Sequence, residues 1–470
     1  MFRAGAARTR ITPFWGVELT GWGYYIERRW RRIADDLNAT AIAVDDGERG
    51  AIVVSLDLMV IDGPFASWAR SRIEQETGLP PESVLLACTH THNAPSAGGL
   101  LGVGVCDPLY EAWAAQQAAT AAILAWNQRQ PARFRVAHSA VDDLSFNRTR
   151  PGGSIDPAWT YARFDGLDDR PIAALVNFAA HPTLTTESRP WDVGRDAPGL
   201  IVDRLEAAHP GMLVAYLQGA CGDVNFRRGF ARPDRWDQPA ERLASAAIEG
   251  MQAAAPIDEP RVGRAREVVA IPTRRWEREE IESDRREALR RVQTRDVAGW
   301  RETIGRSMTN RPDDMVTRHG GDEWKAVASM CRFHLEWTDA ALIDLETRPE
   351  TLDVELQAIR IGPLTILANP AELFSMFALA MRDRLGPSEC MIAGYSNGRV
   401  GYLPDAHDIA SRSYAGFQSP KYCNQFPFTE KSGPALVSVP ESGRAGEFVT
   451  RRSPWRPFQI GLPIERAPQA

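Results

Sequence analysis

Ser83-Val-Leu-Leu-Ala-Cys-Thr-His90-Thr-His92-Asn-Ala-Pro-Ser-Ala-Gly-Gly99 is the stretch whose reading decides the fold. Val84 to Cys88 is a short apolar run, of the length and type of a buried strand. Pro95 to Gly99 is a loop of small residues that continues neither strand nor helix easily. Two histidines stand at the junction. Along an extended chain, positions i and i+2 point the same way, so His90 and His92 face one pocket. Imidazole is the commonest metal ligand and the commonest general base. The pair is therefore a candidate metal and acid/base site, with an ordinary hydrogen-bonded pair of histidines as the alternative.

The same pattern recurs along the chain. Ala51 to Leu56 is apolar and ends at Asp57. Pro171 to Ala180 is apolar and is followed by His181-Pro182, and Met212 to Gln218 runs into Gly219-Ala-Cys-Gly-Asp223-Val-Asn225. Pro363 to Leu367 runs into Asn369-Pro-Ala-Glu372, and Cys390 to Gly394 into Tyr395-Ser-Asn-Gly-Arg-Val-Gly-Tyr402. With the His90 run, six candidate strands deliver polar side chains just past their ends. In open α/β sheets, sites form outside the carboxyl ends of strands. Helical stretches cover Gly63 to Glu76, Pro108 to Gln128 and Leu373 to Arg384. The expected fold is α/β: a mixed β-sheet core flanked by helices, with the site at the strand ends.

Residues 274–346 differ. Arg274 to Arg291 is densely and alternately charged, the pattern of a solvated helix laced with i,i+4 pairs, and Trp324 to Leu345 carries apolar residues at helical spacing. This segment reads as a helical insertion within one catalytic domain spanning 1–470. The tail, Pro454 to Ala470, has four prolines and no clear periodicity.

The totals exclude several classes. Net charge is −6 with no basic block, which argues against a nucleic-acid partner. No apolar run is long enough to span a membrane, and the N-terminus lacks an apolar signal core. The six cysteines are scattered without CxxC spacing and read as free thiols, so the expected location is cytoplasmic.

At this point the motifs resemble the neutral (non-lysosomal) ceramidases. Thr89-His-Thr-His92 with Pro95 and Gly98-Gly99 is similar to that family's THTHSGPGG, and Ile11-Thr-Pro-Phe-Trp-Gly16 resembles its ITPPxG opening. Ser55-Leu-Asp-Leu58, Asn147-Arg148, His181-Pro-Thr183, Gly222-Asp-Val224 and Gly394-Tyr-Ser-Asn-Gly398 fall in the family's order. The resemblance spans most of residues 5–430, with the charged insertion as the main gap. It implies a zinc amidase that cuts an N-acyl bond, with zinc held by His90, His181, Glu372 and Tyr402. His92 would then be the acid/base histidine, Arg148 a substrate-polarising group, and Tyr414 a further catalytic candidate.

The residue chemistry agrees with most of this. Two imidazoles and a carboxylate form a common catalytic zinc set, and zinc lowers the pKa of bound water to about 7. One departure is plain. The family's GDxSPN has a serine where this chain has Asn225, which cannot be a nucleophile but can hydrogen-bond a substrate. The expectation is thus zinc-dependent hydrolysis of a small-molecule amide by activated water. A zinc esterase or lactonase on the same scaffold, or a family member that binds metal without turnover, are the alternatives. Asp57 and Asp223 are either orienting carboxylates or turn-formers, and Cys88 and Cys221 read as small buried residues.

Overall fold

A computed structural model of the protein describes residues 1–305, 311–385 and 390–437; the proline-bearing tail from Pro454 lies outside the described residues. Eight strands form one sheet in the order Leu213–Gln218, Pro171–Phe178, Ala158–Gly166, Gln130–Ala140, Arg3–Arg10, Asn38–Asp45, Gly50–Leu56 and Val84–Cys88. A second sheet of four strands runs Val262–Pro272, Thr351–Ile361, Leu364–Ala368, Cys390–Ala393. The sequence pointed to one mixed sheet with flanking helices; the structure has that sheet and stacks a second upon it. Side-chain alternation reports that a strand is buried, not which sheet covers it.

The six strands singled out by their apolar runs turn out to be three parallel pairs. Gly50–Leu56 pairs with Val84–Cys88, Pro171–Phe178 with Leu213–Gln218, and Leu364–Ala368 with Cys390–Ala393. Parallel strands need a crossover, and each pair has its helix: Gly63–Thr77, Asp196–Ala208 and Ser375–Leu385. Both faces of such strands are covered, which is why they read as unbroken apolar runs. The pairs also finish in register, at Leu56↔Cys88, Phe178↔Gln218 and Ala368↔Ala393. The helix expected from Leu373 begins instead at Ser375, because Glu372–Leu373 first pairs in parallel with Tyr402–Leu403.

Between the sheets Phe164, Leu175 and Leu217 share one apolar core with Ile359, Ile366 and Met391. On the other face of the large sheet, helices Gly63–Thr77 and Pro108–Asn127 cover one end, and Asp196–Ala208 with Asp237–Ala253 covers the other. Within 278–343 lie helices Arg278–Thr294, Val297–Gly305, Pro312–Arg318 and Glu323–Ile343, around buried Trp300 and Trp337. Among the described residues no helix is long and apolar enough to cross a membrane.

One buried amide joins the two sheets of this arrangement. Asn177 donates through Nδ2 to the carbonyls of Leu217 (2.9 Å) and Ile392 (3.0 Å), and its Oδ1 accepts from the Ile392 amide at 3.2 Å. Leu217 belongs to the large sheet and Ile392 to the small one, so Asn177 is a polar rivet between them. Asn177→Ala removes three buried hydrogen bonds and strands their partners. The expected loss is about 3 kcal/mol of stability by urea unfolding; a loss under about 1 kcal/mol would show that apolar contact alone registers the sheets.

Candidate metal centre

The ends of the three parallel pairs are laced to one another by backbone hydrogen bonds. The Cys88 amide donates to the Tyr395 carbonyl (3.1 Å), the Asn397 amide to Leu86 (2.8 Å) and the Gly394 amide to Gln218 (3.0 Å). This brings the segments after each pair to one place. His90 follows Cys88 by two residues and His181 follows Phe178 by three. The His90 backbone is left-handed, φ 64°, as are Tyr395 (55°) and Asn397 (60°). Such backbones are costly for residues with a Cβ and persist where surrounding bonds over-determine them. Here the His90 amide is held by the Leu58 carbonyl at 2.9 Å, and its ring stacks on Tyr395 with centroids 3.9 Å apart.

Three imidazoles converge. His90 Nε2 lies 3.2 Å from His181 Nε2, and His92 Nε2 lies 3.4 Å and 3.1 Å from the same two atoms. Each opposite nitrogen faces a backbone carbonyl: His90 Nδ1 meets Met59 (2.9 Å), His92 Nδ1 meets Gly21 (2.8 Å) and His181 Nδ1 meets Cys221 (3.2 Å). A carbonyl only accepts, so each Nδ1 carries the proton, and a neutral ring in that tautomer leaves Nε2 as a bare lone pair. Three lone pairs at such separations repel unless a cation sits among them. Burial, reinforced by the neighbouring imidazoles and Arg148, pushes the His92 and His181 pKa values well below the ordinary histidine value, which disfavours a proton in that role. Nitrogens bound about 2.0–2.1 Å from one tetrahedral zinc stand about 3.3 Å apart. The trio fits a metal ion on both counts.

Glu372 and Tyr402 complete the surroundings. Glu372 Oε2 is 3.3 Å from His90 Nε2, and this buried oxygen receives no hydrogen bond from the protein. Arg148 donates to the Tyr402 hydroxyl oxygen (2.8 Å), the Gly222 carbonyl (2.8 Å) and Asn225 Oδ1 (3.3 Å). Burial opposes the Arg148 charge, yet Tyr402 and Glu372 raise its pKa above the ordinary arginine value. The Tyr414 ring meets Tyr402 edge-on, with centroids 5.6 Å apart. Burial raises the pKa of both hydroxyls well above the usual tyrosine value, so each keeps its proton. Asn225 bridges His181 across a short parallel pairing, with the His181 amide on the Val224 carbonyl at 2.9 Å. All eight residues selected from the sequence therefore lie around one locus.

The carboxylates left open by the sequence do other work. Asp223 binds Asn147 Nδ2 (2.8 Å) and both the amide (2.7 Å) and hydroxyl (2.8 Å) of Ser375, fixing the loops that carry Arg148 and Glu372. Asp57 accepts from the Asn38 amide (2.9 Å) and from Thr89 Oγ1 (3.4 Å), not from a histidine. Cys88 and Cys221 are fully buried. Sequence reasoning missed Tyr395 as the stacking partner of His90, and missed Gly21. A Cβ at Gly21 would stand 2.7 Å from the His92 Cβ, and its φ is 110°. Thr20-Gly-Trp-Gly23 held the signal, since a glycine amid bulky residues marks a close backbone approach.

Two outcomes follow. Gly21→Ala displaces the carbonyl that orients His92, so affinity for a divalent metal ion, measured against a competing chelator, is expected to fall about tenfold or more; unchanged affinity would separate His92 from the candidate metal site. Asp57 is pushed up to about 6 by burial. A carboxylate pKa raised from its ordinary value means the charged form costs stability in full above about pH 6, and the cost fades as pH falls toward the ordinary carboxylate range. Asp57→Asn, which keeps an oxygen for Asn38, should gain about 1–3 kcal/mol at pH 8, keep roughly half of that at pH 5 and lose it below about pH 4. An equal difference from wild type at both pH values would refute this.

No protein-family model matches the chain, and no curated protein matches it in sequence. Solved structures do match it. Neutral ceramidase from Pseudomonas aeruginosa superposes with a TM-score of 0.67 at 18% identity, over 93% of this chain and 72% of that one. A ceramidase complexed with C2 gives 0.67 at 17% identity, over 93% and 73%. The chain has a neutral ceramidase-like fold.

Proposed function

We propose that the protein is a zinc-dependent hydrolase that cleaves the N-acyl bond of a small amide. The observation that carries this reading is the cluster of three bare Nε2 atoms beside an unpartnered buried carboxylate oxygen. His90, His181 and Glu372 are the proposed ligands. The structure's geometry favours His92 as a further one, because its Nε2 stands with the other two at tetrahedral spacing. Tyr402 is placed beside them, with Arg148 holding its oxygen. Zinc, when bound, supplies an activated water at neutral pH and Lewis acidity toward an acyl carbonyl.

The chain's own groups do the rest. Tyr402 and Tyr414 keep their protons, so either hydroxyl can donate to the oxygen that gains charge as an acyl carbon is attacked. Arg148 carries a fixed positive charge beside the same place and, through Gly222 and Asn225, keeps it oriented. Asn225 stands where a nucleophile would otherwise be looked for, and an amide cannot attack; the reading is therefore hydrolysis by water rather than through an acyl-enzyme. The name of the structural neighbours supports an acyl amide as the substrate class.

The test is turnover of matched amide and ester substrates of one short acyl chain, with zinc content measured alongside. Zinc-loaded enzyme should release the free acid from the amide, and chelated enzyme should not. His181→Ala should lose zinc and lower kcat/KM at least about 1,000-fold while remaining folded by circular dichroism. Full turnover with bound zinc in that variant would sink the reading. Ester cleavage without amide cleavage would convert it to an esterase or lactonase. His92→Ala separates two roles: loss of zinc marks a ligand, and retained zinc with lost kcat marks a proton carrier.

A further inference from the structure

A cavity of about 360 Å³ opens between the loop of residues 15–31, Trp191 and the helical insertion. None of the eight site residues lines it. Its walls combine aromatic rings with cations. Trp15 and Trp30 meet edge-on with centroids 5.1 Å apart, and Arg31 lies over the Trp191 ring at 4.4 Å. Arg29, Arg31 and Lys325 line it without a carboxylate partner within ion-pair distance among the described residues. That is unusual in a chain of net charge −6 whose arginines are mostly paired. Arg318 adds a fourth cation. Its side chain is 10% exposed, and although Glu187 engages one terminal nitrogen, the buried Nε has no partner. Glu27 is the one acid on the wall. Trp15 is 71% exposed, a large ring left in water at the rim.

Unpaired cations repel one another in a concave site and attract an anion, since low-dielectric walls focus the field. Guanidinium groups are suited to carboxylates because they bind them through two parallel donors. The indole faces offer an apolar surface that gains from being covered. We propose that this cavity binds a small amphipathic anion, a carboxylate carried on an acyl or aromatic body. It is wired to the metal centre through the chain. Arg28, between two lining residues, turns inward, is fully buried, and donates to the carbonyls of Thr20, His92 (2.9 Å) and Pro190 (2.8 Å).

Such a carboxylate has two sources: an N-acyl amino acid, whose charge is on the amine side, or a free acid. The inference needs no turnover, so it stands apart from the hydrolase reading. Calorimetric titrations of the chelated protein, which does not turn over amides, would use decanoate, N-decanoylglycine and the uncharged N-decanoylethanolamine, with decanoate titrated into the zinc-loaded protein as well. At least one carboxylate should bind ten times or more tighter than the ethanolamine compound, and the tighter of the two names the source. The double variant Arg31→Gln/Lys325→Gln should weaken that binding at least tenfold. Raising salt from 0.05 to 0.5 M should weaken it at least fivefold in wild type, a check that holds even where the variant does not fold. His181→Ala should bind the carboxylate like wild type. Equal affinity for charged and uncharged ligands, salt-independent binding, unchanged binding by a folded double variant, or loss of binding in His181→Ala would each overturn the assignment.

Discussion

Three backbone carbonyls, those of Met59, Gly21 and Cys221, take the Nδ1 protons of three imidazoles, and the chemistry of the protein depends on that constraint. Each carbonyl fixes a tautomer. Together they turn three lone pairs onto one point, where only a cation relieves the repulsion. The orienting groups are main-chain atoms, so no single side-chain substitution removes them directly. They are vulnerable instead through whatever sets the backbone: the left-handed turn at His90, the open φ at Gly21, the close approach of Gly222 to Glu372. A Cβ at Gly222 would fall 2.5 Å from the Glu372 carbonyl oxygen.

The fold exists around this point as three crossover units whose parallel strands end together. Parallel pairs are poor at standing alone, because their hydrogen bonds and both their faces need cover. Here the cover is mutual. Two sheets share one core, helices close the outer faces, and Asn177 ties strand to strand across the gap. The same lacing that stabilises the strand ends sets the spacing of His90, His181 and Glu372. Stability and site geometry are therefore one property at this edge of the molecule.

Around the metal centre the electrostatics divide into layers. Innermost are three imidazoles and one carboxylate, next to them a buried arginine whose charge is held by Tyr402 and Glu372. Farther out, the loop of residues 15–31 and the insertion bring unpaired cations to an aromatic cavity. Arg28 is the side chain that belongs to both regions, bonded to the His92 carbonyl while its neighbours face the cavity. The insertion itself is anchored by a buried ion pair between Lys421 and Asp284, with His334 on the same carboxylate at 3.1 Å. Lys421 belongs to the short helix that follows Tyr414, so this ion pair joins helix Arg278–Thr294 to the tyrosine loop.

The sequence by itself determined the six buried strands, because strands covered on both faces must be apolar throughout and such runs stand out. It also determined the residue types at the site: His90, His181, Glu372 and Tyr402 each follow a run that ends in a turn. The motif order carried the ceramidase resemblance, and the solved structures agree with it in fold. What only the tertiary structure decided was partnership. Pairing strands in parallel, stacking the second sheet, and bringing His181 to the pair His90 and His92 all rest on contacts between residues far apart in the chain. The same holds for the non-catalytic duties of Asp57 and Asp223, and for Tyr395 beneath His90. A side chain's periodicity records whether it is buried; it holds no record of what buries it.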